Sequence, residues 1–168
     1  MSQHKINRSV QFLPWGGWLG YLVRRASELD LDFLVEEIHE FTKFYDSRIM
    51  NGVALDDHMT NLIKTVTKDH VLLVCEKGGV KLGFIAGMIH AHLFNPNARI
   101  LSELAWWVKV EHRQSRAGLM LLNAYTEIGK EFDWCIMSVE DKSPINPDSL
   151  IKRGYKAKES SFILEKEV

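Results

Sequence analysis

The chain has 168 residues, 46% of them hydrophobic and 26% charged, and its 21 Lys+Arg and 22 Asp+Glu give a formal net charge of −1. This length and composition are typical of one globular domain that buries enough surface to fold without a disulfide or a structural metal. A near-neutral balance without a basic block argues against a nucleic-acid partner, because such binding depends on many phosphate contacts.

The cysteines and the N-terminal segment bear on where the protein resides. Cys75 and Cys135 each lie inside an apolar run, where a thiol usually acts as a small buried hydrophobe, and they favour a reducing cytoplasm. The segment 10–23 is apolar but is interrupted by Pro14 and three glycines, so it predicts neither a membrane helix nor a secretory signal. We interpret residues 1–20 as an arm that covers an edge of its own domain or forms a partner or homodimer contact, and residues 21–168 as the domain.

The first predicted elements are a short strand and an amphipathic helix. The strand spans Tyr21 to Arg25, and Ser27 with Asp30 is typical of a helix start. The helix should end at about Phe44, with an apolar face and a charged opposite face. The apolar positions are Leu31, Leu34, Val35, Ile38 and Phe41, and the charged ones are Glu36, Glu37 and Glu40.

A loop and a second helix follow, and then the periodicity changes to that of strands. Tyr45 to Leu55 contains Asn51-Gly52 and predicts a loop, after which Asp56 or Asp57 begins a helix. Apolar residues recur in this helix at Met59, Leu62, Ile63 and Val66. Val71 to Cys75 and Val80 to Leu93 are predicted strands joined by a hairpin at Gly78-Gly79.

The rest of the chain alternates strands and helices. A turn is predicted at Asn95 to Asn97, followed by a fourth strand from Ile100 to Val110, a helix from Ala117 to Lys130 and a buried fifth strand from Trp134 to Val139. A short helix is predicted within Pro144 to Arg153, with Pro147 at its first position and Gly154 closing it. The last predicted strand spans Phe162 to Leu164. This order predicts an α/β domain with a mixed sheet and helices on both faces.

The junction between the fourth strand and the next helix is the most informative stretch. Backbone N–H groups point out of a helix N-terminus, and the helix dipole adds partial positive charge there. A pyrophosphate is a suitable ligand for this position, with Arg113 and Arg116 adding charge-assisted bonds and Gly118 allowing close approach. The alternative is a plain turn with solvated arginines.

The segment Arg113-Gln-Ser-Arg-Ala-Gly118 resembles the signature of the GNAT superfamily of N-acetyltransferases, [Gln/Arg]-x-x-Gly-x-[Gly/Ala]. Arg116 departs from the pattern, since it occupies the first glycine position. Val108 matches the valine that usually precedes this loop, and Val110 stands where a proline is common. The resemblance extends from about Tyr21 to the C-terminus, and the wording of the loop is most similar to bacteriophage-encoded members.

The resemblance implies a GNAT-like, mostly antiparallel sheet whose fourth and fifth strands splay apart to admit acetyl-CoA, with no metal. Its pyrophosphate would lie on Arg113 and on the loop residues Gln114, Ser115, Arg116, Ala117, Gly118 and Leu119. Its pantetheine arm would pair with Trp106, Trp107 and Val108, where a backbone N–H of Trp107 or Val108 would polarise the acetyl carbonyl. The resemblance also implies Asn146 as a cofactor contact.

The implied activity is transfer of an acetyl group to a primary amine of a small molecule or protein. Candidate bases are Glu140, followed by Asp141, after the fifth strand and Glu103 on the fourth strand. Each carboxylate also has a purely structural interpretation. Glu140 and Asp141 could belong to a solvated turn, and Glu103 could pair with Arg99 or with a neighbouring histidine. Many members carry a tyrosine acid five residues before the aromatic of Gly154-Tyr155, but that position here is Leu150, so the expected acid is missing.

Two further features leave alternatives open. The missing acid and Arg116 also suit a catalytically silent GNAT-fold binding or structural protein, for instance a phage virion component or an inhibitor of a host protein. His90 and His92 lie on one face of a strand about 7 Å apart, which suits a polar sheet face or a proton relay better than a metal site, since no third ligand is near in sequence. Trp106 and Trp107 should point to opposite faces, so at least one belongs to the core.

Overall fold

The computed structural model describes residues 15–16, 20–44, 56–139 and 143–161. The chain divides into two compact units, Met1–Ile136 and Met137–Val168. The predicted loop from Tyr45 to Leu55, the candidate base Glu140 with Asp141, and the last predicted strand lie outside the described residues.

A six-stranded sheet forms the first unit, with its strands side by side in chain order. The strands are β1 Trp15–Gly16, β2 Tyr21–Arg25, β3 Val71–Lys77, β4 Val80–His92, β5 Asn95–Val108 and β6 Trp134–Ile136. All neighbours are antiparallel except β5 and β6, which are parallel and correspond to the predicted fourth and fifth strands. The predicted mixed, mostly antiparallel sheet is confirmed. Trp15 pairs with Val23, so two residues of the predicted arm form the edge strand.

The helices cover both faces of this sheet, as predicted. They are α1 Leu31–Phe44, α2 Asp56–Asp69 and α3 Ala117–Gly129, and all three belong to the first unit. The second unit has a short helix of its own, α4 Asp148–Ile151. Leu34 of α1 and Ile63 of α2 pack in one core with Ala86 of β4. The neighbouring Gly87 faces the other way, since a Cβ added there would collide with the Tyr125 hydroxyl of α3. None of the described helices is long and apolar enough to cross a membrane.

Two predicted strand boundaries are wrong. The chain turns at residues 93–94, before Asn95, which already pairs with His92. A proline at position 96 is compatible with this because it lies at the start of a strand, where a missing N–H costs little. The predicted buried strand from Trp134 to Val139 has only three residues, and Trp134 and Ile136 are exposed, because β6 lies at the edge of the sheet.

A buried carboxylate anchors the start of α1. Asp30 is fully buried and accepts hydrogen bonds from both terminal nitrogens of Arg24, at 2.7 and 2.9 Å, and from the backbone N–H of Ser27 at 2.9 Å. The Lys81 ammonium lies 2.9 Å from Oδ1 of the Asp30 carboxylate. Burial alone would raise the pKa of the Asp30 carboxyl, but the bonds from Arg24, Lys81 and Ser27 hold that pKa well below its usual range. The predicted helix start at Ser27 and Asp30 is confirmed as a capping box.

Candidate functional site

The open edge of β5 is the central feature of the candidate site. β6 pairs with β5 only at Ile100, Leu101 and Ser102. Beyond Ser102, β5 continues for six residues to Val108, and no strand among the described residues pairs with it on this side. The predicted parting of the fourth and fifth strands therefore begins at Ser102.

A β-bulge lies two residues into the open edge. Ala105 pairs with Ala86 and Glu103 pairs with Gly87, so Leu104 is an extra residue on β5. A bulge increases local twist and removes a residue from the ladder. The direction of β5 therefore changes where its second neighbour is lost.

The direction of the backbone groups decides which residues can pair at the open edge. The Lys109 N–H donates to the Leu82 carbonyl of β4 at 2.9 Å. Because the peptide groups of alternate residues point to the same side of a strand, those of Trp107 face β4 and those of Trp106 and Val108 face the open edge. Of the two predicted donors to an acetyl carbonyl, only the Val108 N–H has this orientation.

The two tryptophans of β5 point to opposite faces, as predicted. Trp107 is buried in the core beneath α1 and α2. Trp106 lies on the α3 face, where a Cβ built on Gly118 would meet its ring at 3.7 Å and the Val108 side chain at 3.5 Å. These are ordinary contact distances, so the first turn of α3 lies directly over the side chains at the open edge.

The prediction for Glu37 is wrong, because this side chain is buried. It was predicted on the charged face of α1, but it is only 2% exposed and accepts a hydrogen bond from the Trp107 indole N–H at 2.8 Å. The Lys109 ammonium lies 3.2 Å from its second oxygen, and this contact raises the pKa of Lys109. A usable signal exists in the sequence, since Glu37 is three residues after Leu34 and four before Phe41, within the apolar stripe.

The loop before α3 presents only some of the predicted N–H groups. The Ser115 N–H donates to the His112 carbonyl at 2.9 Å, and the Ala117 N–H donates to the Ser115 hydroxyl at 3.2 Å. Gly118 and Leu119 lie in the first helical turn, where N–H groups have no intrahelical acceptor. Arg116 has φ −82° and ψ 0°, a conformation open to any residue, so a glycine is not required there.

Arg113 packs against the strand instead of standing in solvent. Its guanidinium carbon lies 4.5 Å from the Trp107 ring centroid and 4.6 Å from that of Phe44. Its Nε donates to the Val108 carbonyl at the open edge, at 3.4 Å. These contacts tie the first residue of the loop to β5.

One buried polar atom tests whether these residues fit a ligand such as acetyl-CoA. The Trp106 indole N–H is buried and has no hydrogen-bond acceptor among the described residues. A buried donor without a partner costs about 1 to 3 kcal/mol. It lies beside Gly118, at the point where the open edge meets the N-terminus of α3. The combination of edge peptides, helix N–H groups without an intrahelical acceptor and this donor suits a ligand with amides and phosphates.

The remaining predicted site residues divide between the two units. Glu103 pairs with Gly87 and therefore shares the α3 face. In the second unit, the Asn146 side chain accepts a hydrogen bond from the N–H of Asp148, the first residue of α4, at 2.9 Å. Pro147 precedes α4 by one residue, and Gly154 ends the segment with φ +89°. Leu150 is buried. No group of three metal-ligating side chains occurs among the described residues.

Comparison with known proteins gives independent support for the fold. No protein-family model matches the chain, and no curated protein matches its sequence. Solved structures do match. An aminoglycoside acetyltransferase from an uncultured soil metagenomic sample, in complex with trehalose, is 12% identical, with a TM-score of 0.65 over 89% of this chain and 97% of that one.

Two further solved structures match the chain with similar sequence identity, coverage and TM-score. A predicted acetyltransferase with acetyl-CoA from Clostridium acetobutylicum is 14% identical, with a TM-score of 0.65 over 86% of this chain and 96% of that one. A GCN5-related N-acetyltransferase from Ralstonia eutropha JMP134 is 18% identical, with a TM-score of 0.66 over 89% of this chain and 99% of that one. At these identities the likeness speaks for the fold, and the chain has the fold of the GNAT acetyltransferases.

Proposed function

We propose that the chain is an acetyl-CoA-dependent N-acetyltransferase that acts on a primary amine of a small molecule or protein. The observation that carries this proposal is the open edge of β5, which has no partner strand among the described residues beyond Ser102 and leads to the N-terminus of α3. Outward peptide groups at Trp106 and Val108 suit the amides of a pantetheine arm. The N–H groups of Gly118 and Leu119 suit a pyrophosphate.

The chemistry required at such a site is acyl transfer. Bound acetyl-CoA supplies an activated acetyl group. The protein has to hold the arm along β5, place the Val108 N–H near the carbonyl oxygen, and remove a proton from the incoming ammonium, since only the neutral amine attacks. Arg113 contributes by fixing the loop, because it contacts Trp107 and the Val108 carbonyl.

Two measurements test the proposal. Calorimetry with acetyl-CoA should show saturable binding, and a thiol assay should show CoA release when a panel of amines is added. The panel should include an aminoglycoside, since one structural neighbour is an aminoglycoside acetyltransferase. Absence of binding by the unmutated chain would overturn the proposal.

The carboxylate bases predicted from the sequence are tested separately. Glu140→Gln or Glu103→Gln should lower kcat by about 10²- to 10⁴-fold if that residue is the base, while acetyl-CoA affinity is kept. If both variants keep full activity, neither carboxylate is the base. Leu150→Tyr would raise the rate if departure of the thiolate is limiting.

A silent GNAT-fold binding protein is the alternative, and Leu150 in the place of the expected acid favours it. Arg116 does not add to this alternative, since its backbone conformation requires no glycine. Acetyl-CoA binding without thiol release for any amine would favour the alternative. A role in a phage virion or on a host protein stays a prediction.

A further inference from the structure

The indole N–H of Trp106 is a polar group without a partner. It is buried, and no atom in the part of the chain that the structure describes accepts its hydrogen. Trp106 as a whole is partly exposed. A buried donor in this state has given up its hydrogen bond to water and gained none from the protein, which lowers the stability of the folded chain. A group retained at such a cost suits a ligand that brings the missing acceptor.

The neighbouring tryptophan shows that this chain can satisfy such a group. The Trp107 indole N–H donates to the Glu37 carboxylate at 2.8 Å, in the core beneath α1 and α2. Trp106 points to the opposite face, towards α3, and no described residue offers it an equivalent acceptor there. The missing acceptor is therefore a property of the α3 side of β5.

The position of the Trp106 N–H relates it to the N-terminus of α3. A Cβ added to Gly118 would lie 4.0 Å from Trp106 Nε1. Gly118 is the second residue of α3, and its N–H, like that of Leu119, has no intrahelical acceptor. The dipole of this 13-residue helix adds partial positive charge at the same place. Three N–H donors therefore lie close together where the open edge of β5 meets α3.

The direction of the Trp106 side chain favours a phosphate over an amide of the pantetheine arm. The peptide groups of Trp106 and Val108 point along the sheet towards the open edge, which suits an arm that pairs with β5 as a strand would. The Trp106 side chain instead stands perpendicular to the sheet, on the face that carries α3. A phosphate held at the helix N-terminus lies on this side, and an anionic acceptor gives the stronger hydrogen bond.

The loop before α3 leaves room for an additional donor. The Ser115 N–H donates to the His112 carbonyl at 2.9 Å, and the Ala117 N–H donates to the Ser115 hydroxyl at 3.2 Å. Two of the backbone groups predicted to hold a pyrophosphate are therefore engaged within the loop. The indole N–H of Trp106 supplies a donor in their place.

We propose that the Trp106 indole N–H donates a hydrogen bond to a pyrophosphate oxygen of acetyl-CoA, beside the N–H groups of Gly118 and Leu119. The inference rests on the proposed function and deepens it, because this contact makes the site select a ligand with a diphosphate over one that has only the pantetheine arm. The indole N–H is buried in the ligand-free chain, so the ring turns about its Cβ–Cγ bond as the ligand enters. This torsion is soft in tryptophan, and the residue is already partly exposed.

The first test follows the indole groups by ¹H–¹⁵N NMR. Acetyl-CoA at saturation should move the Trp106 indole cross-peak to higher ¹H frequency, as expected when an N–H gains an acceptor. S-acetylpantetheine has the same thioester and arm but no phosphate, so it should shift backbone cross-peaks of β5 and leave the Trp106 indole in place. The Trp107 indole is the internal control and should respond to neither ligand, since it is already bonded to Glu37.

The second test measures both affinities by calorimetry in Trp106→Phe, which keeps an aromatic ring and removes the N–H. Acetyl-CoA affinity should fall about tenfold or more, the loss expected when a hydrogen bond to a charged group is removed. S-acetylpantetheine affinity should stay within about twofold of that of the unmutated chain. Trp134→Phe is the matched control, because Trp134 is an exposed tryptophan on β6 and its substitution should change neither affinity.

A Trp106 indole that does not respond to bound acetyl-CoA, or that responds equally to S-acetylpantetheine, would overturn the proposed contact. So would a Trp106→Phe variant that binds acetyl-CoA as tightly as the unmutated chain, or one that loses affinity for both ligands equally, since a purely structural role would weaken both. If this variant fails to fold, the NMR comparison on the unmutated chain decides. An unmutated chain that binds no acetyl-CoA would overturn the proposed function itself.

Discussion

Asp30 and Glu37 are both buried carboxylates near the start of the same helix. Asp30 lies just before α1, and Glu37 lies within α1, seven positions further along the chain. Asp30 is held by Arg24, Lys81 and Ser27, which belong to β2, β4 and the helix start. Glu37 is held by Trp107 and Lys109, at the end of β5. The first carboxylate joins parts of the core, and the second joins α1 to the strand with the open edge.

The difference shows that burial and pairing of a charge do not by themselves reveal its purpose. Both carboxylates have cationic partners at close range, and each should be costly to remove. What separates them is the element that each partner belongs to. Loss of Asp30 should therefore appear as lost stability, and loss of Glu37 as lost stability together with weaker acetyl-CoA binding.

The largest expected effect is that of Asp30→Asn. Removing one partner of a buried ion pair typically costs about 3 to 5 kcal/mol of unfolding free energy, and urea denaturation would measure it. Acetyl-CoA affinity of the folded fraction should be unchanged. A variant that keeps full stability would show that the bonds from Arg24 and Lys81 contribute little.

The pH dependence of this effect follows from the pKa of Asp30, which lies below its unfolded value. The stabilisation is fully present above the unfolded pKa of about 4 and is lost as the pH falls towards the folded pKa. The stability difference between the unmutated chain and Asp30→Asn should therefore shrink below about pH 4. A difference that is constant from pH 7 to pH 3 would contradict this.

Glu37→Ala should have an intermediate effect. It leaves the Trp107 indole N–H buried without an acceptor, which costs about 1 to 3 kcal/mol of unfolding free energy, and it should also weaken acetyl-CoA binding because β5 loses its contact with α1. Glu37→Gln is the matched control, since its amide oxygen can still accept from Trp107. If both variants bind acetyl-CoA as tightly as the unmutated chain, Glu37 is structural in the same sense as Asp30.

Gly118→Val changes the open edge without touching either carboxylate. Its side chain would press on Trp106 and Val108 and should weaken acetyl-CoA binding at least tenfold, or about 1.4 kcal/mol, as measured by calorimetry. Gly118→Ala is the control, because a Cβ there meets only ordinary contacts. Equal affinities for the two variants would place the ligand elsewhere.

Removal of residues 1–20 should have the smallest effect on binding. The segment that resembles the GNAT superfamily begins at Tyr21, so we expect acetyl-CoA affinity to be kept and solubility or oligomeric state to change through Phe12, Trp15 and Trp18. Calorimetry and native mass spectrometry would check the two parts. A truncated chain that folds but no longer binds acetyl-CoA would show that the arm helps to form the site.

Local patterns predicted most of the elements but not the pairings between them. The apolar periodicity of α1 and α3 and the glycine pair at the β3–β4 hairpin, with φ +58° and +80°, are short-range signals, and the structure confirms them. Glu37 was misplaced because its partner Trp107 is 70 residues away. The hydrogen bond between His90 Nε2 and the Ser102 hydroxyl, at 2.8 Å, likewise depends on a strand register that no local pattern specifies.

The loop before α3 shows the same limit at closer range. Its position at a strand-to-helix junction is predicted correctly, and its binding of an anion stays a prediction. The sequence did not indicate that Ser115 and Ala117 use their N–H groups within the loop, or that Arg113 stacks on Trp107. These details depend on the local path of the backbone, so they became visible only in three dimensions.

The bulge at Leu104 has a consequence for the protein before any ligand arrives. A strand with unpaired peptide groups is a template on which another chain can add, and this leads to aggregation. Because the bulge interrupts the spacing of the peptide groups along the open edge and Leu104 is 43% exposed, an intruding strand could not stay in register along the whole edge. The irregularity therefore protects against self-association, and straightening it by deletion of Leu104 should make the ligand-free chain more prone to precipitate.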